Sequence, residues 1–414
     1  MTVMVTTSIL FMLSTTLLMM VGYQASMSGL RVGRVRATHV ADAGVNAYLY
    51  TLKSSLVSNP SVYMTASDTG WVTVGDGEKY RVVTVPPAGR TPLTIYSTGA
   101  AGDGTVTIAA TIRFPTFGDY MLMTDAPVLS IAADAHIYGQ LRTNGNLDNK
   151  GWISGKVLVS GTVITAGKLD QGYTAGVPKV DFNQLIGQMA GMATTAKANG
   201  TYYADAGLGY RVMVNGATAT ISKITGGITT GDFVTVPVAT VNIPASGILY
   251  FAGVVGADGT SHDVWVEGTY SVPLTIVSDT DIYITADYVP TDANSTVTSG
   301  LIAHGSIVIP AFSKNMKDYL NVNAALLAAT GSIYSASNSG TTRSRITIVG
   351  AMSFARSADS IPGYKTNGQA IPGFRDNVWT YDQRLSDYPP PMYPVIIDST
   401  LKVDTWLEDS TPVQ

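Results

Sequence analysis

The chain of 414 residues has no cysteine, four histidines, and only 13% charged residues. The missing cysteine excludes a disulfide framework and every thiolate metal site. His39, His136, His262 and His304 stand far apart, and neither HExxH nor HxH spacing occurs, so no local zinc signature exists. A net charge of −4 leaves no basic surplus, which argues against nucleic acid as a partner. The nucleophile-elbow pattern GxSxG, the dinucleotide pattern GxGxxG and the phosphate-loop pattern GxxxxGKS/T are all missing. The sequence therefore assigns no catalytic residue, no cofactor and no metal ligand.

What the chain has in abundance is glycine (42) and tyrosine (22). With frequent Thr and Val, this composition favours strands and turns over helices and suits a charge-poor extracellular surface. The length allows one large domain or two to three ordinary ones.

The exception is the start. Residues 1–30, MTVMVTTSILFMLSTTLLMMVGYQASMSGL, carry no charge, and Arg31, Arg34 and Arg36 follow at once. As a helix this run spans about 45 Å, enough to cross a bilayer core of about 30 Å. Its apolar part, 3–21, is long for a removed signal peptide and has no basic flank before it. A permanent membrane anchor meets a different difficulty: the basic cluster follows the span, which would hold the charge-poor remainder in the cytoplasm. The conflict disappears if a basic leader once preceded Met1, and the expectation is a processed N-terminus. The helix continues beyond the span. Val32, Val35, Val40, Ala43, Val45, Ala47, Leu49 and Leu52 fall near an i, i+3/i+4 pattern, with a stop expected before Asn59-Pro60. Residues 1–58 thus read as one long helix, hydrophobic over 1–30 and amphipathic over 31–58.

An uncharged start, then a basic patch, then Ala41-Asp42-Ala43-Gly44-Val45-Asn46 resembles a type IV pilin, most closely the large accessory (minor) pilins of type IV pilus systems. At the other end, Tyr381-Asp382-Gln383-Arg384-Leu385, Pro389-Pro390-Pro391 and Thr405-Trp406-Leu407-Glu408 resemble the C-terminal body of such proteins. The resemblance implies an inner-membrane-inserted precursor and assembly with other pilin subunits or with copies of itself. It also implies a final place in an extracellular filament at the cell surface. One departure is clear: the glutamate expected at the fifth position is Val5. The assembly face is then Met1, Val3, Val5, Ile9, Leu13, Leu17 and Val21.

From Trp71 the pattern becomes strand-like. WVTVGDGEKYRVVTV reads as a hairpin turning at Gly75-Asp76-Gly77, and TPLTIYSTGAAGDGTVTIAATIRF as another turning near Gly102-Asp103-Gly104. Residues 59–125 are expected to form a small pilin-like antiparallel head. Residues 126–414 are expected to form a β-rich body, with short Gly- and Asn-punctuated runs resembling irregular rungs of a β-solenoid. Within it, 181–199 reads as a helix with Phe182, Leu185, Ile186, Met189 and Met192 on one face. The Pro-rich run 389–391 reads as a cap over the final solenoid edge. The fold class is therefore α+β, mostly β.

Two acidic turns, 278–283 and 258–263, have the donors of a calcium site, but aspartate is also a common turn residue. The expected function is a structural subunit, not an enzyme, whose body is displayed for adhesion, with a surface or glycan ligand. The alternative is a membrane-anchored surface protein or enzyme acting on polysaccharide, with carboxylates brought together from distant rungs.

Overall fold

The computed structural model describes residues 2–58, 65–75, 77–86, 92–133, 135–227, 233–254, 262–313, 316–336, 342–356, 373–396 and 402–409. The chain forms two compact units, 1–113 with 401–414, and 114–400.

The first unit is a helix on a sheet. Helix α1 runs unbroken over Thr2–Ser58; Asn59-Pro60, where a stop was expected, lies outside the described residues. Strands β1 (Asp68–Gly75), β2 (Glu78–Val85), β3 (Leu93–Ala101) and β4 (Gly104–Arg113) follow in an antiparallel meander. The β3–β4 turn sits at Gly102-Asp103, where Gly102 takes a φ of 54° that favours glycine. Asp76, in the other expected turn, lies outside the described residues. Alternate residues of β3, from Leu93 through Ile95, Ser97 and Gly99 to Ala101, are buried, as a strand with one covered face requires.

The fifth strand of this sheet is a correction to the sequence reading. Lys402–Asp409, expected to close the body, pairs antiparallel with β4, with Glu408 opposite Ile108. Arg34 of α1 holds Glu408 at 2.6 Å. The alternation of the segment marks a strand, but local sequence carries nothing about which distant edge it joins. The head accordingly gains Lys402–Asp409, and the second compact unit begins at Phe114 rather than 126.

The second unit is β-rich, and most of its strands pair in parallel from one repeat, here called a coil, to the next. Its first strands come in threes: Leu122–Thr124, Val128–Ile131 and His136–Tyr138, then Leu141–Thr143, Asn146–Asn149 and Trp152–Ile153, then Val157–Val159, Val163–Thr165 and Lys168–Leu169. Leu141 pairs with Val157 and Val157 with Tyr173, a strict repeat of sixteen residues; His136, Trp152 and Lys168 repeat likewise. The spacing is regular over these steps but irregular overall, as expected: Leu122 pairs with Leu141 and Val128 with Asn146, 19 and 18 residues on, and later repeats step by 25 to 27 residues. Corner glycines enforce the sixteen-residue step. A Cβ on Gly155 would lie 2.3 Å from the Gly139 carbonyl carbon, and one on Gly167 would lie 2.1 Å from the Gly151 oxygen.

The coils do not stack in chain order. After Tyr173–Ala175, helix α2 (Gln184–Ala198) leads to Tyr202–Tyr203 and Tyr210–Gly216 at the opposite end of the ladder. Successive coils then climb through Ile248–Phe251, Leu274–Ser278, Ser299–Ala303, Tyr319–Ala328 and Thr342–Phe354. Thr342–Phe354 pairs with Leu122–Thr124, and Gly373–Tyr381 pairs with His136–Tyr138, so the first coil built lies in mid-stack.

The interior of the coils is mainly aliphatic, with Ile137, Ile153, Val157, Ile276, Leu301 and Leu326 among its buried residues and Tyr270 and Tyr288 among the buried aromatics. A second core lies outside the coils. There Phe182, Leu185, Met189 and Met192 cover Ile248, Tyr250, Val277, Ile302 and Leu327. Ile186, placed on the same face by its spacing, is instead exposed. The 389–391 segment joins this outer layer rather than capping an end. Thr298 donates to the Tyr388 carbonyl at 2.6 Å and Thr275 to that of Pro391 at 2.7 Å. The segment thus crosses neighbouring coils laterally. Proline suits the task because it brings no N–H of its own to be satisfied on an apolar face.

Candidate functional site

The helix α1 divides into a bare half and a docked half. Every residue from Thr6 to Val32 is exposed, with Leu18 and Met19 at 76% and 77%. Of the expected assembly residues, Ile9, Leu13, Leu17 and Val21 are exposed at successive i+4 positions. Val3 and Val5 lie in the first turns of α1, and their side chains, like Met1, lie outside the described residues. Leu10, Phe11, Met12, Leu18 and Met20 are exposed as well. The bare half is thus apolar on every side rather than on one face. A helix apolar all round must lie within lipid or among other helices. Its hydroxyls do not oppose this: Ser14 and Thr15 donate to the Phe11 carbonyl at 2.9 Å, and Thr16 to that of Met12 at 2.7 Å. The described stretch 6–55 contains a helix long and apolar enough to cross a membrane.

The docked half corrects the expected pattern. Val32 and Val35 are exposed, as is Ala43, whereas Ala37, Val40, Ala41, Gly44, Val45 and Leu52 are buried. The reason is close approach. A Cβ on Gly99 of β3 would lie 2.2 Å from the Ala37 carbonyl oxygen and 2.4 Å from the Ala41 nitrogen. One on Gly104 would lie 2.5 Å from the Gly33 carbonyl carbon, and one on Gly44 would lie 2.4 Å from Ser97 Oγ. Backbones this close leave room only for Gly, Ala and Ser at the contact. The pattern Gly33, Ala37, Ala41, Gly44 was present in the sequence, but a search for large apolar residues passes over it. The basic cluster borders this contact: Arg36 pairs with Glu78 at 2.7 Å.

In the body, the acidic turn at 278–283 is integrated into the coils. The Asp279 carboxylate accepts the Tyr250 hydroxyl, and Asp281 accepts the Ser306 N–H at 2.6 Å. Asp263, 1% exposed, accepts the Asp281 N–H at 3.2 Å. Burial, with the neighbouring Asp281 carboxylate, pushes Asp263 up to about 8, and burial also raises Asp281. Beside them His262, at a φ of 67°, places Nδ1 2.6 Å from Asp205 Oδ1. Residues 258–261 of the other acidic turn lie outside the described residues. Among the described residues, no three His, Asp or Glu side chains gather into a metal-holding group.

The C-terminal motif is a clamp. Arg384 pairs with Asp382 at 2.7 Å and donates to the Ser295 carbonyl at 2.8 Å, while Leu385 is buried in the outer core. The pair ties the turn at 291–297 to the last coils.

No family model matches the chain, and no curated protein sequence matches it. Among solved structures, the chain is similar to the competence-associated pilin ComZ from Thermus thermophilus over 91% of its own length and 97% of that chain, at 11% identity and a TM-score of 0.29.

Proposed function

We propose that this chain is an exported, pilin-like structural subunit of a surface filament. Its bare helix is inserted first in the inner membrane and then among the helices of neighbouring subunits, through Met1, Val3, Val5, Ile9, Leu13, Leu17 and Val21. Its body is displayed outward, as a β-solenoid, for contact with surfaces. The observation that carries the reading is the division of α1. Residues 6–32 are all exposed, while from Gly33 the helix is held against the head by glycine-tight contacts. A lipid anchor needs about 20 apolar residues and no rigid mount. A rod mounted rigidly on its head presents a fixed surface to neighbours, as a regular polymer requires. In lipid such rods associate by packing alone; in a polymer they also remove apolar surface from water.

The second reading is a permanent membrane anchor carrying a surface protein that acts on polysaccharide. The side-chain-to-carbonyl hydrogen bonds of Ser14, Thr15 and Thr16 favour it, since they let these hydroxyls rest in hydrocarbon. Deleting residues 2–30 distinguishes the two. On the filament reading the full chain appears in sheared surface filaments and the deletion removes it from them. A full chain found only in membranes defeats that reading.

A further inference from the structure

We propose that the coil face carrying His136, Tyr138, Trp152, Lys168 and Asp170 is a saccharide-binding site, in which sugar C–H faces stack on the aromatic rings and sugar hydroxyls bond the polar groups around them. The proposal gives the displayed body a ligand class, and its test reads binding alone, independent of assembly.

The face follows from the sixteen-residue repeat. His136, Trp152 and Lys168 pair in register on three consecutive coils, with Ile137, Ile153 and Leu169 beside them turned inward. Side chains two residues on, Tyr138 and Asp170, therefore share the outer face. The rings meet edge to face: His136 to Trp152 at 5.3 Å, Tyr138 to Trp152 at 5.5 Å. Trp152 donates its Nε1–H to Asp170 at 2.8 Å, and the Lys168 ammonium lies 4.8 Å from the indole centroid. Lys168 also holds Asp170 at 2.9 Å. Every ring is thus fixed before a ligand arrives, which lowers the entropy lost on binding.

This order is not needed to hold the coil, whose interior is closed by aliphatic residues, and it is built on the outside. Tyr138 remains 38% exposed and His136 is exposed. Glycines border the strip on both sides. Gly151 and Gly167 precede Trp152 and Lys168, and Gly139 follows Tyr138 with Gly155 stacked on it. These glycines let adjacent coils approach closely at the corners, which brings His136, Trp152 and Lys168 of the strip into register.

The chemistry selects the ligand. Lys168 and Asp170 neutralise each other, so no net charge draws an ion of either sign. Hydrogen bonds from Lys168 and then Trp152 hold Asp170 below the usual carboxylate range, leaving it an acceptor at neutral pH. An apolar peptide would remove the water that serves the remaining donors of Lys168 and acceptors of Asp170 and replace it with nothing. A ligand with C–H faces for the rings and both donors and acceptors around its rim satisfies all of them, and a pyranose has that form.

The test uses the full chain in a detergent without a sugar headgroup. Cellohexaose, chitohexaose, maltohexaose and hexamers of galacturonate and hyaluronan are titrated while tryptophan fluorescence and ligand saturation-transfer NMR are followed. At least one should bind saturably at or below about 1 mM. Tyr138→Ala, at an exposed position, should weaken it about tenfold with the unfolding midpoint unchanged, and Tyr138→Phe should retain most of the affinity. Tyr173→Ala, on another face, should leave it intact. The proposal is overturned if none of the five binds, or if binding survives both Tyr138→Ala and Trp152→Ala.

Discussion

Asp263 is the most informative single position for the stability of the body. In an unfolded chain its carboxyl titrates near 3.9, whereas in the coil stack burial and Asp281 raise it to about 8. Between those values the folded chain keeps a proton that the unfolded chain has released. Stability is therefore fully present below about pH 4, falls as the pH rises, and levels off above about 8. The slope is about 1.4 kcal/mol per pH unit, so the body should lose roughly 2–3 kcal/mol between pH 5.5 and 7.5. Asp281, also raised by burial, acts in the same direction. Groups held low behave oppositely but elsewhere: Asp68, lowered to about 2 chiefly by its hydrogen bond from Arg81, loses its contribution only in stronger acid. Asp263→Asn keeps an acceptor for the Asp281 N–H and removes the buried charge. It should flatten the dependence and raise stability at pH 7.5 by roughly 1–3 kcal/mol. Urea unfolding of the detergent-solubilised chain, followed by tryptophan fluorescence, reports both effects; Trp265 stacks on Tyr283 at 4.0 Å in the neighbouring coil. Equal pH dependence in wild type and variant over this window would refute the reasoning.

Two further substitutions test the close contacts. Gly99→Val forces side-chain atoms into the Ala37 and Ala41 backbone; it should destabilise the head by about 3 kcal/mol or more and expose the 33–45 stretch to limited proteolysis, while the body digests as before. Gly155→Val sets a side chain against the Gly139 backbone at a coil corner; it should lower the melting temperature of the body, and an unchanged melt would show that the corner yields.

The elements were readable where periodicity is local. The long helix, the two head hairpins and α2 follow from apolar spacing and turn glycines, because each is decided by residues a few positions apart. The sixteen-residue repeat was equally present, in Gly139/Gly155, Gly145/Gly161 and Gly151/Gly167, but short strands of two to four residues conceal it from any reading based on strand length. The stacking order was not readable. Placing Leu122–Thr124 between Thr342–Phe354 and Leu141–Thr143 depends on closing a separation of more than two hundred residues, about which no local pattern is informative. The same holds for Lys402–Asp409 on β4. At the candidate site, the bare half of α1 was evident from its lack of charge, and Val40, Val45 and Leu52 of its docked face were legible from their spacing, whereas Ala37, Ala41 and Gly44, which make the closest approach, were passed over because they are small. The aromatic strip was invisible as a unit, since His136, Trp152 and Lys168 meet only through the coil register.

The central claim concerns what surrounds the bare helix once the protein is in place. A photo-crosslinking amino acid at Leu13, activated in native cells before surface filaments are sheared off, reads that environment directly. The filament account predicts covalent adducts, within the sheared fraction, to the apolar N-terminal helix of a neighbouring subunit, whether a copy of this chain or another pilin. Adducts to lipid alone, with the chain confined to the membrane fraction, would contradict it.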